Sequence, residues 1–139
     1  SVLALGLKPG EKVITTPITF SATANCIKYC GGEVFFCDID PDTYLIDLDK
    51  LEALLKKYPK RTFKGIIPVD FAGRAVDLSK LREIALKYEC WIIEDSCHSP
   101  GGYFVDKMLN KQKCGNGKFA DLSIFSFHPV KHIAAEKGE

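Results

Sequence analysis

The chain has 139 residues, 46% hydrophobic and 27% charged, with 19 basic against 18 acidic side chains and a formal net charge of +1. That apolar fraction excludes intrinsic disorder, and the balanced charge gives no support to a nucleic-acid or membrane-surface role. The length holds one domain or part of one, no apolar run approaches the ~20 residues of a membrane span, and no signal-peptide pattern opens the sequence.

In chain order, β-rich runs alternate with helical patterns. Val13–Thr16 reads as a strand and Ser21–Tyr29 as a short helix after it. Val34–Cys37 is a second strand. Leu48, Leu51, Leu54, Leu55 and Tyr58 then recur at three-to-four spacing, which predicts a helix with Asp47 as N-cap and Pro59 as its stop. Gly65–Val69 is a third strand, and Leu78, Leu81, Ile84, Ala85 and Tyr88 predict a helix capped by Asp77. Trp91–Ile93 and Leu122–Phe127 complete the strands. Both parities of Leu122–Phe127 carry large side chains, the pattern of a strand covered on both faces. The glycines and lysines of 101–118 break the rhythm and predict a polar surface excursion, a small hairpin. The alternation implies an α/β fold, three layers with helices on both faces of a mostly parallel sheet.

Six cysteines lie scattered through apolar segments, at 26, 30, 37, 90, 97 and 114. They read as reduced core thiols of a cytoplasmic protein. Cys26 and Cys30 lack a second pair at zinc-finger spacing, so no metal site is expected. The basic cluster Lys56-Lys57-Tyr-Pro-Lys60-Arg61 sits at a helix end, where cations suit the dipole.

Ligands of open parallel α/β sheets bind beyond the carboxyl ends of the strands. The residues expected there are Thr15-Thr16-Pro17, Asp38, Asp70, Glu94-Asp95 and Ser126–His128, followed by Lys131. Asp38 opens Asp-Ile-Asp-Pro-Asp, which is turn chemistry, and Asp70 fits a turn cap equally well. Asp95 differs: Ser96-Cys97-His98 follows it, so a carboxylate and an imidazole lie three residues apart at a strand end, a candidate acid/base or cofactor-gripping pair. Lys131 follows a strand expected to be fully buried. Desolvation there would make its amine a nucleophile for a carbonyl, whereas a lysine that snorkels to the surface is the bland alternative. Ser126 offers a hydroxyl and an N–H to an anion. No G-x-G-x-x-G or Walker A sequence is present, against the common nucleotide-binding explanations of such a sheet.

Four ordered motifs carry a resemblance: Ile14-Thr-Thr-Pro-Ile-Thr-Phe20, Pro68-Val-Asp-Phe-Ala-Gly73, Glu94-Asp-Ser-Cys-His98 and Phe125-Ser-Phe-His-Pro-Val-Lys-His132. Over nearly its whole length the chain resembles the DegT/DnrJ/EryC1/StrS sugar aminotransferases, which are enzymes of fold type I dependent on pyridoxal 5'-phosphate. It looks most like the branch that aminates C4 of a UDP-linked 4-keto-6-deoxy-N-acetyl sugar toward pseudaminic acid. The resemblance implies that Lys131 forms the Schiff base with the cofactor and later shuttles the proton. It implies that Asp95 pairs with the pyridinium nitrogen, His98 binds the phenolic oxygen, Phe20 stacks on the ring and Ser126 holds the phosphate. It further implies L-glutamate as amino donor, a nucleotide-sugar substrate and a cytoplasmic homodimer. A sister branch of dehydratases carries histidine in place of the lysine. Lys131 therefore favours transamination, although His132 is adjacent.

Family members are more than twice this long. The only methionine, Met108, is internal, so residues 1–139 read as the central part of the cofactor-binding large domain. The Gly-Thr/Ser phosphate loop would lie upstream and a small C-terminal domain downstream. After Lys131 the sequence Ala134–Glu139 departs from the family's Gly-Glu-Gly-Gly-type turn. The alternatives are a family aminotransferase acting on another nucleotide-linked keto sugar, or a catalytically inert fragment.

Overall fold

The structure, a computed structural model, describes residues 1–134; residues 135–139, where the sequence departs from the family's turn, lie outside the described residues. Five parallel strands form the main sheet: β1 (Lys12–Thr15), β2 (Glu33–Phe36), β3 (Phe63–Ile67), β4 (Trp91–Asp95) and β7 (Leu122–Ile124), in spatial order β2-β1-β3-β4-β7. The helices are α1 (Ser21–Tyr29), α2 (Leu48–Lys56) and α3 (Leu78–Tyr88). Residues 101–118 do form a hairpin, β5 (Tyr103–Val105) against β6 (Lys111–Lys113) in antiparallel register.

Side-chain parity divides the core into two layers. Successive strand residues face opposite sides, so Ile14, Ile66 and Ile92 pack with α2 and α3, while Val13, Ile67 and Ile93 pack with α1 and the N-terminal Val2 and Leu7. Each such side chain removed from water contributes roughly 1.5–3 kcal/mol. The helices start where the sequence predicts. Asp47 accepts from the N–H groups of Asp49 and Lys50 at 3.0 Å each, and Asp77 from those of Ser79 and Lys80 at 3.0 and 3.1 Å. Such caps contribute about 1 kcal/mol apiece. Close packing between β3 and β4 requires Gly65, because a Cβ there would lie 2.2 Å from the Trp91 ring.

One expectation fails. The last strand is not a fully buried run over Leu122–Phe127; it ends at Ile124, is half-buried, and leaves Phe125 and Phe127 exposed. Among the described residues β7 is the edge of the sheet, so only one neighbour covers it. Lys131 therefore stands beyond residues 125–130, outside any strand and half-buried, which corrects the expectation of an amine desolvated at the end of a fully buried strand.

The six thiols are free. Cys37, Cys90 and Cys114 are buried and the other three half-buried. Burial pushes Cys37 and Cys114 up to about 12 and Cys90 to about 11. No helix among the described residues is long and apolar enough to cross a membrane.

Candidate active site

Parity also decides which strand ends meet. Ile67 and Val69, Ile93 and Asp95, and Ile124 and Ser126 all project toward the α1 side, where they line a cleft of about 440 Å³. Phe20 and Thr23 of the α1 entry close one side of it; His98 and Lys131 close the other. The five residues singled out in the sequence, Phe20, Asp95, His98, Ser126 and Lys131, thus come together in one place at the carboxyl end of the sheet.

Asp95 is 5% exposed, at the last position of β4. One carboxylate oxygen accepts from the N–H of Cys97 at 3.2 Å, and the other from the hydroxyl of Thr23 at 3.2 Å. Its backbone is fixed as well: its N–H donates to the Pro68 carbonyl, and its carbonyl accepts from Asp70 N–H, both at 3.0 Å. A desolvated carboxylate held this way presents its remaining lone pairs to the cleft. His98 lies within a tight turn closed by Ser99 N–H donating to the Ser96 carbonyl, and its ring lies 5.8 Å from that of Phe71. Partial burial, and then the charge of Lys131, lower the imidazole below its usual range, so at neutral pH one ring nitrogen donates and the other accepts. Phe20 sits at the N-cap of α1 in extended conformation and is 72% exposed, an open aromatic face on the lip. The Ser126 hydroxyl accepts from His128 N–H at 3.4 Å, and Lys131 N–H donates to the His128 carbonyl at 2.9 Å.

The other strand-end residues serve the scaffold. Thr15 donates to the Ile67 carbonyl at 2.9 Å. Asp38 is exposed beside Lys50 at 3.7 Å, and the turn after it is built by Asp40, which accepts from the N–H groups of Asp42 and Thr43. Asp70 does tie a turn, through Val76 N–H at 2.9 Å, but it is also deeply buried and accepts from the hydroxyls of Ser96 and Ser99. Asp70, Glu94 and Cys114 bring potential ligand atoms within 4.8 Å of one another. Glu94 accepts there from Gly115 N–H and the Ser123 hydroxyl, so protein donors already occupy both carboxylates. Sequence reasoning missed Thr23. The available signal was a small polar residue three positions after Phe20, hence on the same helical face.

The profile of the DegT/DnrJ/EryC1/StrS aminotransferase family matches residues 1–138. The chain belongs to this family. A relative from Campylobacter jejuni, "UDP-4-amino-4,6-dideoxy-N-acetyl-beta-L-altrosamine transaminase", is 43% identical over 136 residues, covering 97% of this chain and 33% of that protein. "3-oxo-glucose-6-phosphate:glutamate aminotransferase" of Bacillus subtilis is 38% identical over 132 residues, covering 95% of this chain and 26% of the relative. Among solved structures, NtdA of Bacillus subtilis with bound cofactor PMP superposes with a TM-score of 0.79 at 35% identity, over 96% of this chain and 27% of that one. The Helicobacter pylori aminotransferase PseC, involved in the biosynthesis of pseudoaminic acid, gives 0.74 at 32% identity, over 91% and 31%. This DegT-family chain therefore spans a quarter to a third of the length of the curated relatives it matches.

Proposed function

We propose that the chain is the central part of the large domain of a sugar aminotransferase dependent on pyridoxal 5'-phosphate. In this reading the whole protein aminates C4 of a UDP-linked 4-keto-6-deoxy-N-acetyl sugar with L-glutamate as donor, as a cytoplasmic homodimer. The observation that carries the reading is the convergence of Asp95, His98, Lys131, Ser126 and Phe20 on one cleft.

The residues present fit the cofactor. A mostly apolar cleft bounded by an aromatic face, a buried carboxylate and an amine suits a flat, cationic, aldehyde-bearing ring. When bound, that group supplies an aldehyde for amine exchange and a ring that takes up the electron pair released at the substrate carbon. Asp95 would hold the proton on the ring nitrogen. An ion pair at ~4 Å with an effective dielectric of ~20 is worth ~4 kcal/mol, or ~3 pKa units. Neutral His98 would donate a hydrogen bond to the ring oxygen without adding a competing positive charge. Phe20 would cover one face of the ring, and the Ser126 hydroxyl would donate to the phosphate. Lys131 Nζ would anchor the aldehyde end and would move the proton on and off the substrate carbon, two tasks that an amine performs with one lone pair.

The test adds pyridoxal 5'-phosphate to the chain, reads the visible band and traps it with borohydride. Mass spectrometry is expected to place the label on Lys131 and to find none in Lys131→Ala. Absence of the band, or an equal band in that variant, overturns the reading. A second reading, amination of a different keto sugar, is supported by the 38%-identical relative whose name carries 3-oxo-glucose-6-phosphate. A panel of keto sugars offered to the intact parent separates the two.

A further inference from the structure

Thr23 stands at the centre of a link that the proposed site roles leave unused. It is 6% exposed, lies on the cleft wall, and donates through Oγ1 to Asp95 Oδ2 at 3.2 Å. The same oxygen accepts from the Thr19 hydroxyl at 2.8 Å, so the three side chains form one directed chain, Thr19 to Thr23 to Asp95. A hydroxyl that accepts one hydrogen bond donates the next one more strongly. With Cys97 N–H on the other oxygen, both oxygens of the Asp95 carboxylate are held, and its orientation is fixed from two elements at once.

Thr23 also couples two parts of the site. It follows Phe20 by three residues, its own N–H donates to the Phe20 carbonyl at 3.0 Å, and α1 carries both as a rigid unit. The aromatic lid of the cleft and its buried acid are therefore set against each other by a single hydroxyl.

We propose that Thr23 is a positioning residue. Its hydroxyl keeps the Asp95 carboxylate aimed into the cleft, and keeps Phe20 in register over whatever Asp95 holds. This rests on the cofactor role proposed for Asp95. The substitution Thr23→Val keeps the shape and removes the donor; Thr23→Ser keeps the donor and removes the methyl.

With pyridoxal 5'-phosphate as probe, Thr23→Val is expected to weaken binding about ten- to a hundredfold, the size of one hydrogen bond to a charged group. Thr23→Ser should stay within about threefold of the unsubstituted chain. Thr19→Ala, one step removed, should lose less than Thr23→Val. Full affinity in Thr23→Val overturns the proposal. So does a Thr23→Ser variant as weak as Thr23→Val, because the methyl's packing is then the cause. A second readout needs no cofactor: the carbon-13 resonance of the Asp95 carboxyl at pH 7. It should move in Thr23→Val and return in Thr23→Ser, and an unmoved resonance overturns the proposal. If the unsubstituted chain takes up no pyridoxal 5'-phosphate, the cofactor reading fails for this chain, and the resonance alone decides the role of Thr23.

Discussion

Glu94 and Asp95 are chain neighbours, both buried, both at the carboxyl end of β4, and they do opposite work. Glu94 turns toward the α3 side. There its two oxygens accept from Gly115 N–H at 2.9 and 3.0 Å and from the Ser123 hydroxyl at 2.7 Å. Asp70 on the same side accepts three bonds in the same manner. Asp95 turns toward α1 and accepts only two, leaving capacity that faces an open cleft. A buried acid is thus no mark of function by itself. What separates the two sides is acceptor capacity left over once the scaffold is satisfied, together with an imidazole and an amine to share it.

The sharpest way to break this contrast is to remove each acid in turn. Glu94→Ala strands the Gly115 N–H and the Ser123 hydroxyl and should cost about 2–4 kcal/mol of stability in urea unfolding. Asp95→Asn should cost less, about 1–2 kcal/mol in the same assay, because its amide oxygen still accepts from Cys97 N–H while its NH2 can only donate to a Thr23 hydroxyl that has turned away. Its affinity for pyridoxal 5'-phosphate should nevertheless fall by about two to three powers of ten, on the ~4 kcal/mol scale of the ion pair. A stable Glu94→Ala, or a fully binding Asp95→Asn, would erase the distinction between the two faces.

A smaller effect is Gly65→Ala. It forces a methyl into the Trp91 ring and should destabilise by about 1–3 kcal/mol, read from the shift in urea midpoint at constant slope.

Next comes a pH dependence. Burial raises the Asp70 carboxyl above its ordinary 3.8, so the folded state favours the protonated form. Its contribution is complete below that ordinary value and declines as pH rises through the raised one. The difference in unfolding free energy between the parent and Asp70→Asn, followed across that window, should change with this sign. The mildest expectation concerns His98. Its proton-resonance midpoint should lie below the usual imidazole value and should rise in Lys131→Gln, which removes the second cause of the lowering.

Much of this was written in the sequence because local chemistry encodes it. Asp47 and Asp77 announced their helices by side-chain type and spacing, and the Val/Ile/Phe runs announced the strands. The hairpin within 101–118 was visible as glycine and lysine interrupting the periodicity. The residues that converge on the cleft were singled out through motif resemblance, and the cleft they share follows from strand parity once the sheet order is known. The short last strand was not legible. Leu122–Phe127 has the composition of a covered strand, but coverage is a property of neighbours, and β7 has one. Thr23 was legible only in its spacing from Phe20, for a related reason. Its partner lies 72 residues away, and a threonine in a helix carries no sign of which acid it will meet. The role of Gly115 was equally hidden. Its left-handed φ of 70° and the Phe125 ring 2.2 Å from a would-be Cβ arise only once the excursion folds back on β4.

Cys97 shares the cleft with Lys131, and an aldehyde entering it meets two potential nucleophiles. Burial, with the adjacent Asp95 charge, pushes the Cys97 thiol up to about 12. At neutral pH the thiol therefore stays protonated, and the thiolate is the reactive form. Burial first, and the acid beside it second, thus quiet the sulfur. The two side chains share one cleft, and the sulfur is held in its unreactive form by where it sits rather than by a barrier.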